Sequence, residues 1–130
     1  MKILIIEDDK WFAESVSSNL VGHSLKIADS PETAITIIDK WKPDLLLLDI
    51  ILGTTNGLAL LYELQSYTDT RQLPIIIISA EGKRLKLDNL RKLGVIDVID
   101  KTKMTPESLY SKIKEIAFNG GVDYARQITN

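Results

Sequence analysis

Four short runs of aliphatic residues, each ending in a polar or charged group, constrain this 130-residue chain more than any other feature. Ile3 to Ile6 leads into Glu7 and Asp8, Leu45 to Leu48 into Asp49, Ile75 to Ile78 into Ser79, and Val95 to Ile99 into Asp100 and Lys101. The runs are too short for helices, and their near-continuous apolar character fits strands buried on both faces of a parallel sheet. A weaker fifth, Ser24 to Ala28, falls between the first two in chain order. Parallel strands bring all of these polar ends to one edge of the sheet. Acids, a hydroxyl and an ammonium then share one pocket, which suits a divalent cation and a phosphoryl group.

Helical patterns separate the strands: Ala13, Val16 and Leu20; Ala34, Ile37, Ile38 and Trp41; Leu60, Leu61, Leu64 and Tyr67; Leu87 and Leu90; and Leu109, Ile113, Ile116 and Ala117. Each places one apolar stripe on a helix. Ser30-Pro31-Glu32 and Thr105-Pro106-Glu107 read as helix starts, with a hydroxyl N-cap, proline at the first helical position and an acid in the first turn. Five alternations of strand and helix, joined by right-handed crossovers, predict an α/β doubly wound fold: a five-stranded parallel sheet with five helices over its two faces. The length predicts a single domain over residues 1–119, with 120–130 a C-terminal tail or a truncated linker after Asn119-Gly120-Gly121.

Composition narrows the function. A formal net charge of −2 offers no basic surface of the kind that holds nucleic acid, and no apolar run is long enough to cross a bilayer. The chain has no cysteine, which removes disulfides, thiol nucleophiles and thiolate metal sites. A cytoplasmic protein with no direct nucleic-acid or membrane contact is the expectation.

Carboxylates gathered at one edge repel and raise one another's pKa values unless a cation sits among them. Mg2+ is the natural cation, because it takes oxygen ligands and is usually held by one or two carboxylates plus a phosphate. Asp49, short and at the end of an apolar strand, is then placed to attack phosphorus and form an acyl phosphate, with Lys101 and Ser79 supplying charge and a hydroxyl donor to the phosphoryl oxygens. Taken singly, each residue has a plainer reading: Asp8 and Asp9 as caps of the first helix, Ser79 as a turn residue, Lys101 as a surface lysine. The plain readings together require independent coincidences at four strand ends.

These residues carry a resemblance. From Lys2 to about Phe118 the chain resembles the receiver domain of two-component response regulators, through Ile3-Leu4-Ile5-Ile6-Glu7-Asp8-Asp9, Asp44 to Asp49 with Gly57 eight residues later, Leu73-Pro74 through Ser79-Ala80, and Lys101. The resemblance implies a flavodoxin-like sheet of order 2-1-3-4-5. It implies a signalling switch in which Asp49 accepts phosphate from a histidine kinase or histidine phosphotransfer protein. Asp8 and Asp49 would ligate Mg2+, with Glu7 acting through water and the main-chain carbonyl of Ile51 as a further ligand, and Ser79 and Lys101 would bind the phosphoryl group. The implied partners extend to an output domain or downstream protein, met through the face of the fourth helix, fifth strand and fifth helix, and the implied oligomeric state is a monomer or a phosphorylation-dependent dimer. Such a protein is no enzyme beyond its own phosphorylation and dephosphorylation.

Three positions depart from the family pattern. Thr102 replaces the usual proline after the lysine, Val98 replaces the usual aromatic residue three before it, and Gly53 replaces a proline in the loop after Asp49. The aromatic switch is thus absent, and the loop from Gly53 to Gly57 has more backbone freedom. Elsewhere, His23 reads as a surface turn residue, Trp11 and Trp41 as packing residues, and Lys83, Arg84, Lys86, Arg91 and Lys92 as a basic run on the fourth helix. Three other functions compete. A receiver that has lost phosphorylation would work only as an interaction module, which the full acidic set opposes and Val98 and Thr102 favour. A phosphotransferase of the kind that carries a general acid two residues after its nucleophile would find Ile51 there. A flavin module would find Glu7-Asp8-Asp9 where it needs a phosphate loop.

Overall fold

The computed structural model describes residues 1–52, 55–80 and 85–118. Its strands are β1 (Lys2–Ile6), β2 (Ser24–Ala28), β3 (Leu45–Leu48), β4 (Ile75–Ser79) and β5 (Val95–Asp100). The helices are α1 (Lys10–Asn19), α2 (Pro31–Trp41), α3 (Leu58–Ser66), α4 (Leu87–Leu90) and α5 (Pro106–Phe118). All pairings in the main sheet are parallel, in the order β2-β1-β3-β4-β5, as expected. Ile51–Leu52 and Thr55–Asn56 add a two-residue antiparallel pair just past β3.

Alternation along the strands sorts the core into two layers. Ile3, Ile5, Leu45, Leu47, Ile76, Ile78 and Ile96 pack against Ala13, Val16 and Leu20 of α1 and Leu109, Ile113 and Ile116 of α5. Leu4, Ile6, Leu46, Leu48, Ile75, Ile77 and Val95 meet Ala34 and Ile38 of α2, Leu60, Leu61 and Leu64 of α3, and Leu90 of α4. Each such side chain contributes about 1.5 to 3 kcal/mol on burial. The helix starts form as their sequences dictate: the Ser30 hydroxyl accepts from the Thr33 N–H at 3.2 Å, and the Thr105 hydroxyl accepts from the Ser108 N–H at 3.1 Å.

One irregularity reorients the last strand. Ile75 pairs with Val95 but Ile76 pairs with Asp97, so Ile96 is an extra residue in β5. Ile96 joins the α1/α5 layer, and Asp97 points the same way, reaching Lys112 of α5 at 3.0 Å. Every later residue has its parity reversed: Val98 packs with the α2–α4 layer and Ile99 with the α1/α5 layer. Lys101, two residues beyond Ile99, therefore leaves the strand on the α1 side.

Several expectations need correction. Trp11 is 82% exposed, whereas Trp41 is half-buried against the α2–α4 layer, with the ammonium groups of Lys2 and Lys26 at 5.8 and 5.2 Å from its ring. The fourth helix is one turn long, so Lys86, Arg91 and Lys92 do not lie within it. Lys86 is its N-cap, Arg91 and Lys92 belong to a 3-10 turn ended by Gly94 in left-handed conformation, and Lys83 and Arg84 fall outside the described residues. Gly94 suits that stop, since a side chain there would be strained at φ 88° and would meet the Leu73 carbonyl at 3.3 Å. His23 does lie in the turn before β2, partly buried, with its Nδ1 3.1 Å from the Met1 amino group. Gly53, Thr54 and Asn119 to Asn130 lie outside the described residues, and with them the start of the loop expected to be free and the whole of the expected tail.

Candidate phosphoryl and metal site

The register of the sheet builds the site. Ile6 lies opposite Leu48 and Leu48 opposite Ile77, so Glu7 and Asp49 emerge side by side at the tips of β1 and β3. Main-chain bonds continue past the strands: Glu7 N–H donates to Ala28 O at 2.9 Å, Asp49 N–H to Ile6 O at 3.0 Å, and Lys101 N–H to Ser79 O at 3.0 Å. Gly57 lies against this edge, and a β-carbon there would stand 3.0 Å from the Ile50 carbonyl and 3.1 Å from that of Asp49. A larger residue would displace the backbone that carries Asp49.

Glu7, Asp8 and Asp49 each offer a carboxylate oxygen within 4.8 Å of the others. Their environments differ. The Glu7 side chain is 3% exposed and that of Asp49 11%, while Asp8 faces solvent. Asp9, the next residue, is the acid that caps α1, accepting from Phe12 N–H at 3.1 Å. Lys101 Nζ bridges the two buried acids, bonding Glu7 Oε1 and lying 3.3 Å from Asp49 Oδ2. Asp49 Oδ1 accepts from the Ile51 N–H at 3.1 Å, which fixes the carboxylate and brings the Ile51 backbone beside it. Ile51 is 49% exposed.

Charge in the site is finely balanced. Burial is the largest influence on Glu7 and raises its pKa to about 7, helped by the negative charge of Asp49 and opposed by the Lys101 hydrogen bond. Burial disfavours the Lys101 ammonium, but the hydrogen bond and charge of Glu7, together with Asp49, outweigh it and raise the pKa of Lys101. Three oxygen donors crowded to this degree, with no nitrogen or sulfur among them, match a hard divalent cation.

Ser79 stands at the tip of β4, beside β3, and is wholly buried. By strand alternation it belongs to the α2–α4 side, whereas Glu7, Asp49 and Lys101 share the α1 side. The turn after Lys101 does without proline: the Asp100 carboxylate accepts from Thr102 N–H at 2.9 Å and from the Thr102 hydroxyl at 2.6 Å, and no cis peptide occurs among the described residues. Val98 is half-buried in the α2–α4 layer.

One residue escaped the sequence reading. Phe12 places its ring centroid 4.2 Å from Lys101 Nζ and lines, with Glu7, Asp49, Val16 and Ile78, a void of about 10 Å³ under the site. Its signal was its position four residues before Val16, which puts it at the end of the α1 stripe nearest the acids.

Comparison with known proteins gives the family of the chain and the same fold. Residues 3–114 match the family described as the response regulator receiver domain. The phosphate regulon transcriptional regulatory protein PhoB of Pseudomonas aeruginosa is 30% identical over 116 residues, which is 88% of this chain and 50% of that protein. Among solved structures, a two-component response regulator from Clostridium difficile is 29% identical with a TM-score of 0.75, covering 91% of this chain and 96% of that one. A CheY-like receiver domain protein from Methanospirillum hungatei JF-1 shares the fold at 24% identity and a TM-score of 0.77, covering 97% of this chain and 96% of that one. The chain spans about a third to a half of the length of the curated relatives it matches. With the acidic triad, the bridging lysine and the strand order all in place, this chain belongs to the response regulator receiver domain family.

Proposed function

We propose that the protein is a phosphorylation-controlled signalling switch in which Asp49 accepts a phosphoryl group from a histidine kinase or a histidine phosphotransfer protein. The observation that carries this reading is the convergence of three carboxylates within 4.8 Å, with the Lys101 ammonium 3.3 Å from Asp49. A carboxylate oxygen of Asp49 forms the bond to phosphorus as the bond to the donor's imidazole nitrogen breaks, and the imidazole leaves with the electron pair. Lys101 meets the charge on the phosphoryl oxygens and the Ser79 hydroxyl donates to one of them. The Ile51 N–H holds the carboxylate in place throughout. Glu7, Asp8 and Asp49, with the Ile51 main-chain carbonyl, would hold Mg2+, which when bound neutralises the acids and the phosphoryl oxygens.

The output in this reading is a change of partner affinity at the α4, β5 and α5 face, worth about 1 to 3 kcal/mol as coupling free energies usually are. Residues 1–119 form the receiver and 120–130 the tail or linker toward an output domain or downstream protein. The molecule works in the cytoplasm, as a monomer or as a dimer formed on phosphorylation, and turns over no separate substrate.

Labelling with acetyl phosphate and Mg2+, followed by borohydride reduction and mass spectrometry, tests the assignment. The expected product is a single modified residue, Asp49, lost in Asp49→Asn. Label elsewhere, or label undiminished in the variant, overturns it.

A further inference from the structure

We propose that Phe12 is a positioning residue for Lys101, its ring face holding the ammonium in place over the acids of the site. The inference rests on the reading of Asp49 as phosphoacceptor for its consequence, and on geometry alone for the contact.

Lys101 Nζ lies 4.2 Å from the Phe12 centroid, within the range where the negative face of a ring attracts a cation. The lysine side chain is 20% exposed, so little water competes for the ammonium. Phe12 is itself held. Its N–H is taken by the Asp9 cap, its side chain packs with the α1/α5 layer, and the Asp9 N–H reaches back to Glu7 Oε2 at 3.3 Å. The ring and the two carboxylates thus grip one ammonium from different directions.

The two grips respond differently to chemistry at Asp49. A lysine has a long stem and loses much rotamer freedom when fixed. Once Asp49 carries a phosphoryl group, the pull on the ammonium passes from its carboxylate to the phosphoryl oxygens, and a bound cation would engage the charge of the acids. The ring itself neither titrates nor reacts, so its attraction for the ammonium persists through the transfer. An aliphatic side chain of similar volume would fill the same space and exert no such pull.

The contact is read by NMR in the metal-free protein. The ε-methylene protons of Lys101, under the ring, should resonate upfield of those of the other lysines. Phe12→Leu should return them to the ordinary position and Phe12→Tyr should keep them shifted. With Mg2+ and acetyl phosphate, Phe12→Leu should slow labelling about three- to tenfold while Phe12→Tyr stays near the parent rate. In a Lys101→Ala background, Phe12→Leu should cost nothing further.

A Lys101 shift that survives Phe12→Leu overturns the proposal. So does a Phe12→Leu defect as large without Lys101 as with it, which would mark Phe12 as a packing residue only. A parent protein that takes no label sinks the phosphoacceptor reading instead, and the Lys101 resonances then decide whether the ring holds the ammonium.

Discussion

Leu48 and Asp49 are consecutive, yet they stand in regions of the molecule built on opposite terms. In the body of the sheet, Leu46, Leu47 and Leu48 are wholly or almost wholly enclosed within two clusters of mostly aliphatic side chains. One residue further on, at the strand tips, two acids are nearly as enclosed but hold like charge, with a single ammonium between them. The body supplies the free energy that keeps the tips together. A site of this kind therefore need not be stable in itself, provided the strands beneath it are, and it keeps an unfavourable charge arrangement available for ligands to relieve.

The strongest way to break this contrast is to weaken the body. Leu48→Ala deletes a wholly buried side chain that touches the α2–α4 layer, and the loss of packing plus the cavity should cost about 2 to 5 kcal/mol. Urea unfolding should show a lowered midpoint with an unchanged slope. A cost below about 1 kcal/mol would mean that the sheet body is not what holds the tips.

The opposite change at the tip should stabilise. Glu7 titrates near 7 in the fold against 4.5 for an unperturbed glutamate, so the folded chain holds a proton that the unfolded chain has released. Stability contributed by that proton is complete below about 4.5 and is lost as pH rises through about 7, by about 1 to 3 kcal/mol. Glu7→Gln imitates the protonated form. Without added metal it should melt higher than the parent at pH 8 and alike at pH 4. A variant that melts lower at pH 8 would show that the Lys101 bridge outweighs the burial of the charge.

How far the sequence disclosed all this follows the same division. The strands were legible because burial on both faces writes itself as unbroken aliphatic runs, and the helix starts because Ser30 and Thr105 carry their caps locally. Glu7, Asp8, Asp49 and Lys101 were legible as a group because parallel strands force their ends together. The extra residue in β5 was not, since Val95 to Asp100 reads equally well as a regular strand, and only the pairing with Ile75 and Ile76 reveals the slip. The grip of Phe12 on Lys101 depends on that slip and on two segments 89 residues apart in the chain, so no local pattern announces it. Trp11 misled for the converse reason: an indole at a helical position usually packs, and here it lies one position outside the stripe.

Asp8 gives the smallest effect and the sharpest comparison, because it follows Glu7 directly and shares the same triad but faces water. Solvent screens an exposed charge, so its repulsion of the buried pair is weak and there is little to recover by removing it. Asp8→Ala should therefore raise metal-free stability by no more than about 0.5 kcal/mol, well short of Glu7→Gln, while Mg2+ binding measured by calorimetry weakens sharply for want of one of few ligands. The two acids would then divide the work, the buried one setting the charge strain and the exposed one meeting the ion. A metal-free gain for Asp8→Ala equal to that of Glu7→Gln would erase the distinction, since it would show repulsion passing through the triad without regard to burial.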